Sequence, residues 1–189
     1  MTLIKLKKNW FVNLIILVGV LLLLFTPVGF KIKTFASRLL ATSASKVKEG
    51  TQVSLDTYKW ELVNLDGKPF LFESLKEKVI LVNFWATWCP PCVAEMPSLQ
   101  KLYNDYGDKV AFVFVTNDHR EKVDAFLDKR NHQLPIYYAT SPEPQVLSSK
   151  LLPTTYIISK EGKIVVAQTG AADWHSDKTR KLLDELLSE

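Results

Sequence analysis

The stretch Val79-Ile-Leu-Val-Asn-Phe-Trp85, followed by Ala86-Thr87-Trp88 and then Cys89-Pro90-Pro91-Cys92, decides the fold of this chain. Its first seven residues are apolar except for Asn83, the pattern of a strand covered on both faces. The next residues change to a helical period, with Cys92, Met96, Leu99, Leu102 and Tyr103 on one face. A buried strand therefore turns into a helix at Cys89. Cys89 and Cys92 are the only two cysteines in 189 residues. Two thiols at this spacing can close a small disulfide ring and reopen it without moving the rest of the fold, so the pair reads as a redox switch rather than a staple. Cys-x-x-Cys also opens half of a zinc site, but two further ligands are then needed. His119, His132 and His175 show no matching spacing, so no metal and no other cofactor is expected.

On the amino-terminal side, Tyr58 to Val63 alternates and leads into Asn64-Leu-Asp-Gly67 and a short strand at Pro69 to Phe72, a hairpin pattern. On the carboxyl-terminal side, Val110 to Val115 reads as a buried strand and Arg120 to Asn131 as an amphipathic helix. Ile136 to Ala139 reads as a third strand and Pro144 to Lys150 as a short helix. Thr154 to Ile158 and Ile164 to Thr169 form a hairpin pattern around Gly162, and Asp177 to Leu187 closes the chain as a helix with a leucine stripe. This order implies an α/β fold, a central mixed sheet with helices on both faces, and a site at the carboxyl end of a central strand, where Cys89 falls.

Further upstream, Trp10 to Phe30 holds no charged residue and is long enough to span about 30 Å as a helix. A cleaved signal peptide would use Leu14 to Phe25 as its apolar region and Thr42-Ser43-Ala44 as a weak cleavage site. The length of the run favours an uncleaved anchor. The expected organisation is a cytoplasmic tail at 1–9, a transmembrane anchor at 10–30, a Ser/Thr-rich linker at 31–54 and a globular domain at 55–189. The net charge is +4, and Lys5, Lys7, Lys8, Lys31, Lys33 and Arg38 account for it, so the domain itself is near neutral and has no electrostatic footprint for nucleic acid. Lysines on both sides of the span leave orientation undecided by charge. A lone thiol pair beyond one amino-terminal span suits work outside the cytoplasm, where disulfides persist.

The segment Val79 to Pro97, with its Trp-Cys-Pro-Pro-Cys core, resembles the active-site segment of the thioredoxin superfamily, and especially the membrane-anchored TlpA/ResA-like thiol-disulfide oxidoreductases. The likeness covers roughly residues 50 to 189, including the extra hairpin before the first core strand. It implies a thioredoxin-like fold and a thiol-disulfide oxidoreductase that reduces protein disulfides on the extracytoplasmic (periplasmic) side of the cell membrane. Cys89 would be an exposed attacking thiol at the helix start, where the helix dipole favours the thiolate. Cys92, one turn inside, would resolve the mixed disulfide. Glu95 would take the proton from Cys92. Pro153 would be cis and pack against the pair, so that the backbone at Leu152 meets an extended substrate, with Trp88 at the rim. Trp85 fits the core, and Trp174 suggests a weak second rim position. Ordinary thioredoxins carry an acid where this chain has Asn83, which makes Asn83 a bonded core amide and moves the base role to Glu95.

The partners that the likeness implies are disulfide-containing proteins, apocytochrome c among them, and a membrane thiol donor. Two other readings compete. A thiol peroxidase would want its threonine three residues before the cysteine, whereas Thr87 is two before Cys89 and no distant resolving cysteine exists. A non-catalytic anchored binding module would not need Cys89, Cys92, Glu95 and Pro153 together.

Overall fold

The computed structural model describes residues 2–48 and 50–189, with side chains from residue 10 onward apart from 24 and 49. The tail assigned to 1–9 therefore lies outside the described side chains. Helix α1 covers Thr2–Phe25 and α2 covers Pro27–Leu40. The run expected as one span, Trp10 to Phe30, is divided at Thr26. Pro27 has no N–H to continue the first helix, and the Thr26 hydroxyl caps the second by accepting from Gly29 N at 3.2 Å. Among the described residues no single helix is long and apolar enough to cross a membrane. Trp10–Leu23 and Pro27–Leu40 pass that test as a pair, with their axes bent by 76°.

The domain is built on seven strands in the order β3-β2-β6-β5-β4-β7-β8. They are β2 (Glu61–Asn64), β3 (Pro69–Leu71), β4 (Ile80–Phe84), β5 (Ala111–Val115), β6 (Ile136–Ala139), β7 (Thr154–Ile158) and β8 (Ile164–Thr169). Strands β4, β5 and β6 run parallel, while β7, β8 and the β2–β3 hairpin are antiparallel. Helix α3 (Pro90–Tyr106) joins β4 to β5, α4 (Arg120–Arg130) joins β5 to β6, and α5 (Asp177–Ser188) ends the chain. Both parallel crossovers step the same way across the sheet, so right-handed connections put α3 and α4 on one face. The buried residues of α3, α4 and α5 accordingly share one cluster with Leu81, Phe112 and Phe114. Helices on both faces were expected. The other face instead holds Trp60, Phe72, Leu75 and Leu147, packed on Ile80, Val82, Val113 and Val115. Alternate residues of β4 and β5 serve opposite faces, which explains their uninterrupted apolar runs.

Two further expectations are corrected. The helix at Pro144 to Lys150 shrinks to a 3₁₀ turn at Gln145–Leu147. Ser148 and Ser149 bond locally, to Glu143 Oε1 and to the Leu151 carbonyl, and compete with helical hydrogen bonding. The segment 31–54 is no tether. Its first part belongs to α2, and Thr42–Ser43 (β1) pairs in parallel with Ala172–Asp173 (β9). Ala44 is buried in the main core, Val47 N donates to Val165 O at 2.8 Å, and Ile164 N donates to Val53 O at 2.9 Å. The polar side chains that suggested a linker stay near water, while the backbone covers β8, which would otherwise be an open sheet edge.

An Ala44→Asp substitution in the full chain should therefore lower unfolding stability by about 2 kcal/mol or more, because it buries an unpaired charge. Urea unfolding of the full chain in detergent micelles measures this, and a tether would show no change.

Candidate active site

Cys89 is the N-cap of α3, and its Sγ accepts from Cys92 N at 3.3 Å. Pro90 and Pro91 fill the first helical positions, where a missing N–H leaves no helical hydrogen bond unmade. The two sulfurs are joined as a disulfide across a Cα–Cα distance of 5.3 Å, so the structure is the oxidised state. Cys92 is fully buried. Cys89 was expected to be exposed but is only 4% accessible, because its bond to the buried Cys92 turns the sulfur inward.

Beside the disulfide, Trp88 is 65% exposed, and the Leu152–Pro153 peptide is cis. Leu152, half-buried, joins Trp88, Phe84, Trp60, Asp118 and Glu143 around a groove of about 290 Å³. Trp85 lies in the core, its ring 5.3 Å from that of Phe126. The Thr87 amide and hydroxyl both donate to Asp118 Oδ2 at 2.7 Å, which pins the turn before Cys89 to the loop after β5. That hydroxyl is thus engaged with a carboxylate, which leaves the peroxidase reading without support. Asp118 carried no signal in the sequence, since nothing local marks a loop aspartate 31 residues away as the partner of Thr87.

Glu95 lies on α3 three residues after Cys92, so the two side chains are neighbours on one helical face. It is not a solvated acid, being 1% accessible. Its Oε1 accepts from Asn83 Nδ2 at 2.9 Å, and its Oε2 accepts from Trp174 Nε1 at 2.8 Å and from Ala172 N at 3.2 Å. Asn83 follows the Val79–Leu81 face of β4 toward α3, and its amide also donates to Thr155 Oγ1 at 2.7 Å on the neighbouring strand, in register. The Asn83 Oδ1 atom is buried with no partner among the described residues. Burial pushes the Glu95 carboxyl up to about 7, and the bonds from Trp174, Ala172 and Asn83 only partly oppose it. Trp174, which the sequence placed weakly at the rim, is fully buried instead. The signal pointing to it is that a buried indole N–H wants an acceptor. Among the described residues no three His, Cys, Asp or Glu side chains gather as metal ligands.

The redoxin family model matches residues 31–187, a span that includes the strand-to-helix turn with its Cys-x-x-Cys disulfide, the cis-proline loop and the buried carboxyl. The chain belongs to the redoxin family. It is 32% identical over 164 residues to a thiol-disulfide oxidoreductase ResA of Bacillus cereus, covering 84% of this chain and 87% of that one. It is 36% identical over 124 residues to the thioredoxin-like protein YneN of Bacillus subtilis (strain 168), covering 64% of this chain and 73% of the relative. In fold it is similar to a DsbF homologue from Corynebacterium diphtheriae, with a TM-score of 0.60 at 19% identity over 77% of this chain and 94% of the other. This redoxin is thus a ResA-like member of the thioredoxin superfamily and a thiol-disulfide oxidoreductase.

The buried carboxyl gives this redoxin a pH signature. A folded value near 7, above the unfolded 4.5, means that the folded state binds more protons between those limits, so stability falls as pH rises through the window. Glu95→Gln removes the ionisable group. The unfolding free energy of the variant relative to the parent should grow by on the order of 3 kcal/mol between pH 4.5 and pH 8, measured by urea unfolding at both.

Proposed function

We propose that this redoxin is a membrane-anchored reductant of protein disulfides on the extracytoplasmic side of the cell membrane. The observation that carries the reading is the buried Glu95 carboxyl one turn beyond Cys92. In the reduced protein, the Cys89 thiolate attacks a substrate disulfide. One substrate sulfur bonds to Cys89 and the other leaves as a thiolate that takes up a proton. Cys92 then gives its proton to Glu95 and attacks Cys89. The second substrate sulfur leaves, and the Cys89–Cys92 disulfide remains. Two electrons have passed to the substrate, and a donor dithiol restores the pair. A carboxyl near 7 is part ionised at neutral pH and so is free to accept that proton.

Substrate docks along Leu152 and the groove beside Trp88, where an extended segment can pair with the backbone before Pro153. Support for a reducing direction comes from the thiol's surroundings. Cys89 Sγ accepts one hydrogen bond from the described residues, and Pro90 and Pro91 have no N–H to add another, so the thiolate is weakly stabilised and the disulfide is hard to reduce. The apolar run 10–30, most of which lies in α1, is the anchor, and a membrane thiol carrier is the donor, because no reductant pool is assured outside the cytoplasm. Apocytochrome c, whose Cys-x-x-Cys-His must be reduced before haem attachment, is the substrate class that the ResA likeness suggests.

The reduction potential of the full chain, equilibrated with glutathione or dithiothreitol, should lie below about −220 mV. A value between about −180 and −120 mV would make it an oxidant or isomerase. Pro91→His, which returns an N–H to the first turn, should raise the potential by about 30 mV or more. In stopped-flow exchange with a small protein disulfide, Glu95→Gln should slow the resolving step at least about tenfold, in the range of a lost general base.

A further inference from the structure

Helix α2 presents an apolar face that no part of the described chain covers. Val28, Ile32, Phe35 and Leu39 stand at helical spacings of four, three and four, which puts them in one stripe, and their accessibilities lie between 51% and 70%. The opposite face, through Phe30, Thr34 and Ser37, is half-buried, and α2 packs there on α3, the helix that carries Cys92. Phe30 and Thr34 share the seam with Val93 and Pro97 of α3. Lys31 and Arg38 border the stripe on one flank, while Lys33 falls with the half-buried face. No acidic residue precedes Glu49 anywhere in the sequence.

The corner with α1 is tightly built. A Cβ on Gly29 would run into the Leu23 carbonyl oxygen, and Thr26 caps α2 within one residue of the end of α1. With the axes bent by 76°, an α1 that entered a bilayer along its normal would leave α2 close to the membrane plane.

We propose that α2 is an interfacial helix. It lays Val28, Ile32, Phe35 and Leu39 into the surface of an anionic lipid bilayer and holds α3, with the thiol pair at its start, on its other face. The inference rests on the reading of the run 10–30 as the anchor, and takes its α1 part, up to Phe25, as the portion that enters the bilayer. A stripe of large apolar side chains with cations along its edge is the composition of helices that lie in the headgroup region. Anionic headgroups neutralise Lys31 and Arg38, whereas a second copy of α2 on the same stripe would bring like charges together. The consequence is a fixed attitude of the active-site helix to the membrane, which sets the height at which substrate and donor must meet the disulfide.

The test uses the full chain in vesicles of mixed phosphatidylcholine and phosphatidylglycerol, with Val18→p-benzoylphenylalanine in α1 or Phe35→p-benzoylphenylalanine in α2, irradiated and read by mass spectrometry. Lipid adducts at both positions are expected. The adduct at residue 35 should drop several-fold when Lys31→Glu and Arg38→Glu are combined in the same chain. A lipid adduct at 18 with none at 35, or a crosslink from 35 to a second copy of the chain, overturns the interfacial helix and leaves the anchor standing. Absence of a lipid adduct at 18 overturns the anchor and this inference with it. An adduct at 35 that the charge reversals leave undiminished overturns the anionic-surface assignment.

Discussion

A carboxyl held away from water is the constraint around which this site is arranged. Glu95 is contacted by a side chain from β4, a backbone amide from β9 and an indole that follows β9, while it projects from α3 itself. An ionised carboxylate without these donors would be costly to bury, and with them it remains costly enough to hold a proton up to about pH 7. The same bonds that keep the acid in place tie the carboxyl-terminal segment to the active-site helix. Site geometry and tertiary packing thus rest on the same few atoms.

Asn83 gains its meaning from that arrangement. An acid at this strand position would set two carboxyls at hydrogen-bond distance, and one would have to stay protonated. An amide instead donates to both Glu95 and Thr155 and leaves a single titrating group. The cysteines are set by a different device. The helix start fixes Cys89, the paired prolines limit the donors that reach its sulfur, and Asp118 fixes the preceding turn by accepting twice from Thr87.

In the amino-terminal third, composition and structure part company. Residues 41–54 are rich in serine, threonine and lysine, which suits a solvated tether, yet the backbone at Lys46, Val47, Val53 and Ser54 closes the edge at β8 and Ala44 enters the core. Side-chain polarity describes which atoms face water and is silent about where the backbone hydrogen bonds go. The same limit applies at Thr26, where a cap and a proline break an apolar run that hydropathy alone reads as continuous.

Local chemistry determined much of this protein from its sequence alone. The apolar run of β4, the helical period after Cys92, the Asp-Gly and Glu-Gly turns and the leucine stripe of α5 each follow from neighbours in the chain, and they were legible to within a residue or two. So were the thiol pair and the mixed order of strands. Only the tertiary structure decided the rest. It put three helices on one face of the sheet, covered Cys89, gave Thr87 its aspartate and brought Trp174 to Glu95 across 79 residues. Those contacts depend on which strand lies beside which and on which polar groups remain to be satisfied once the core has closed. No periodicity or local spacing records that information, because it arises from residues far apart in sequence competing for the same buried donors and acceptors.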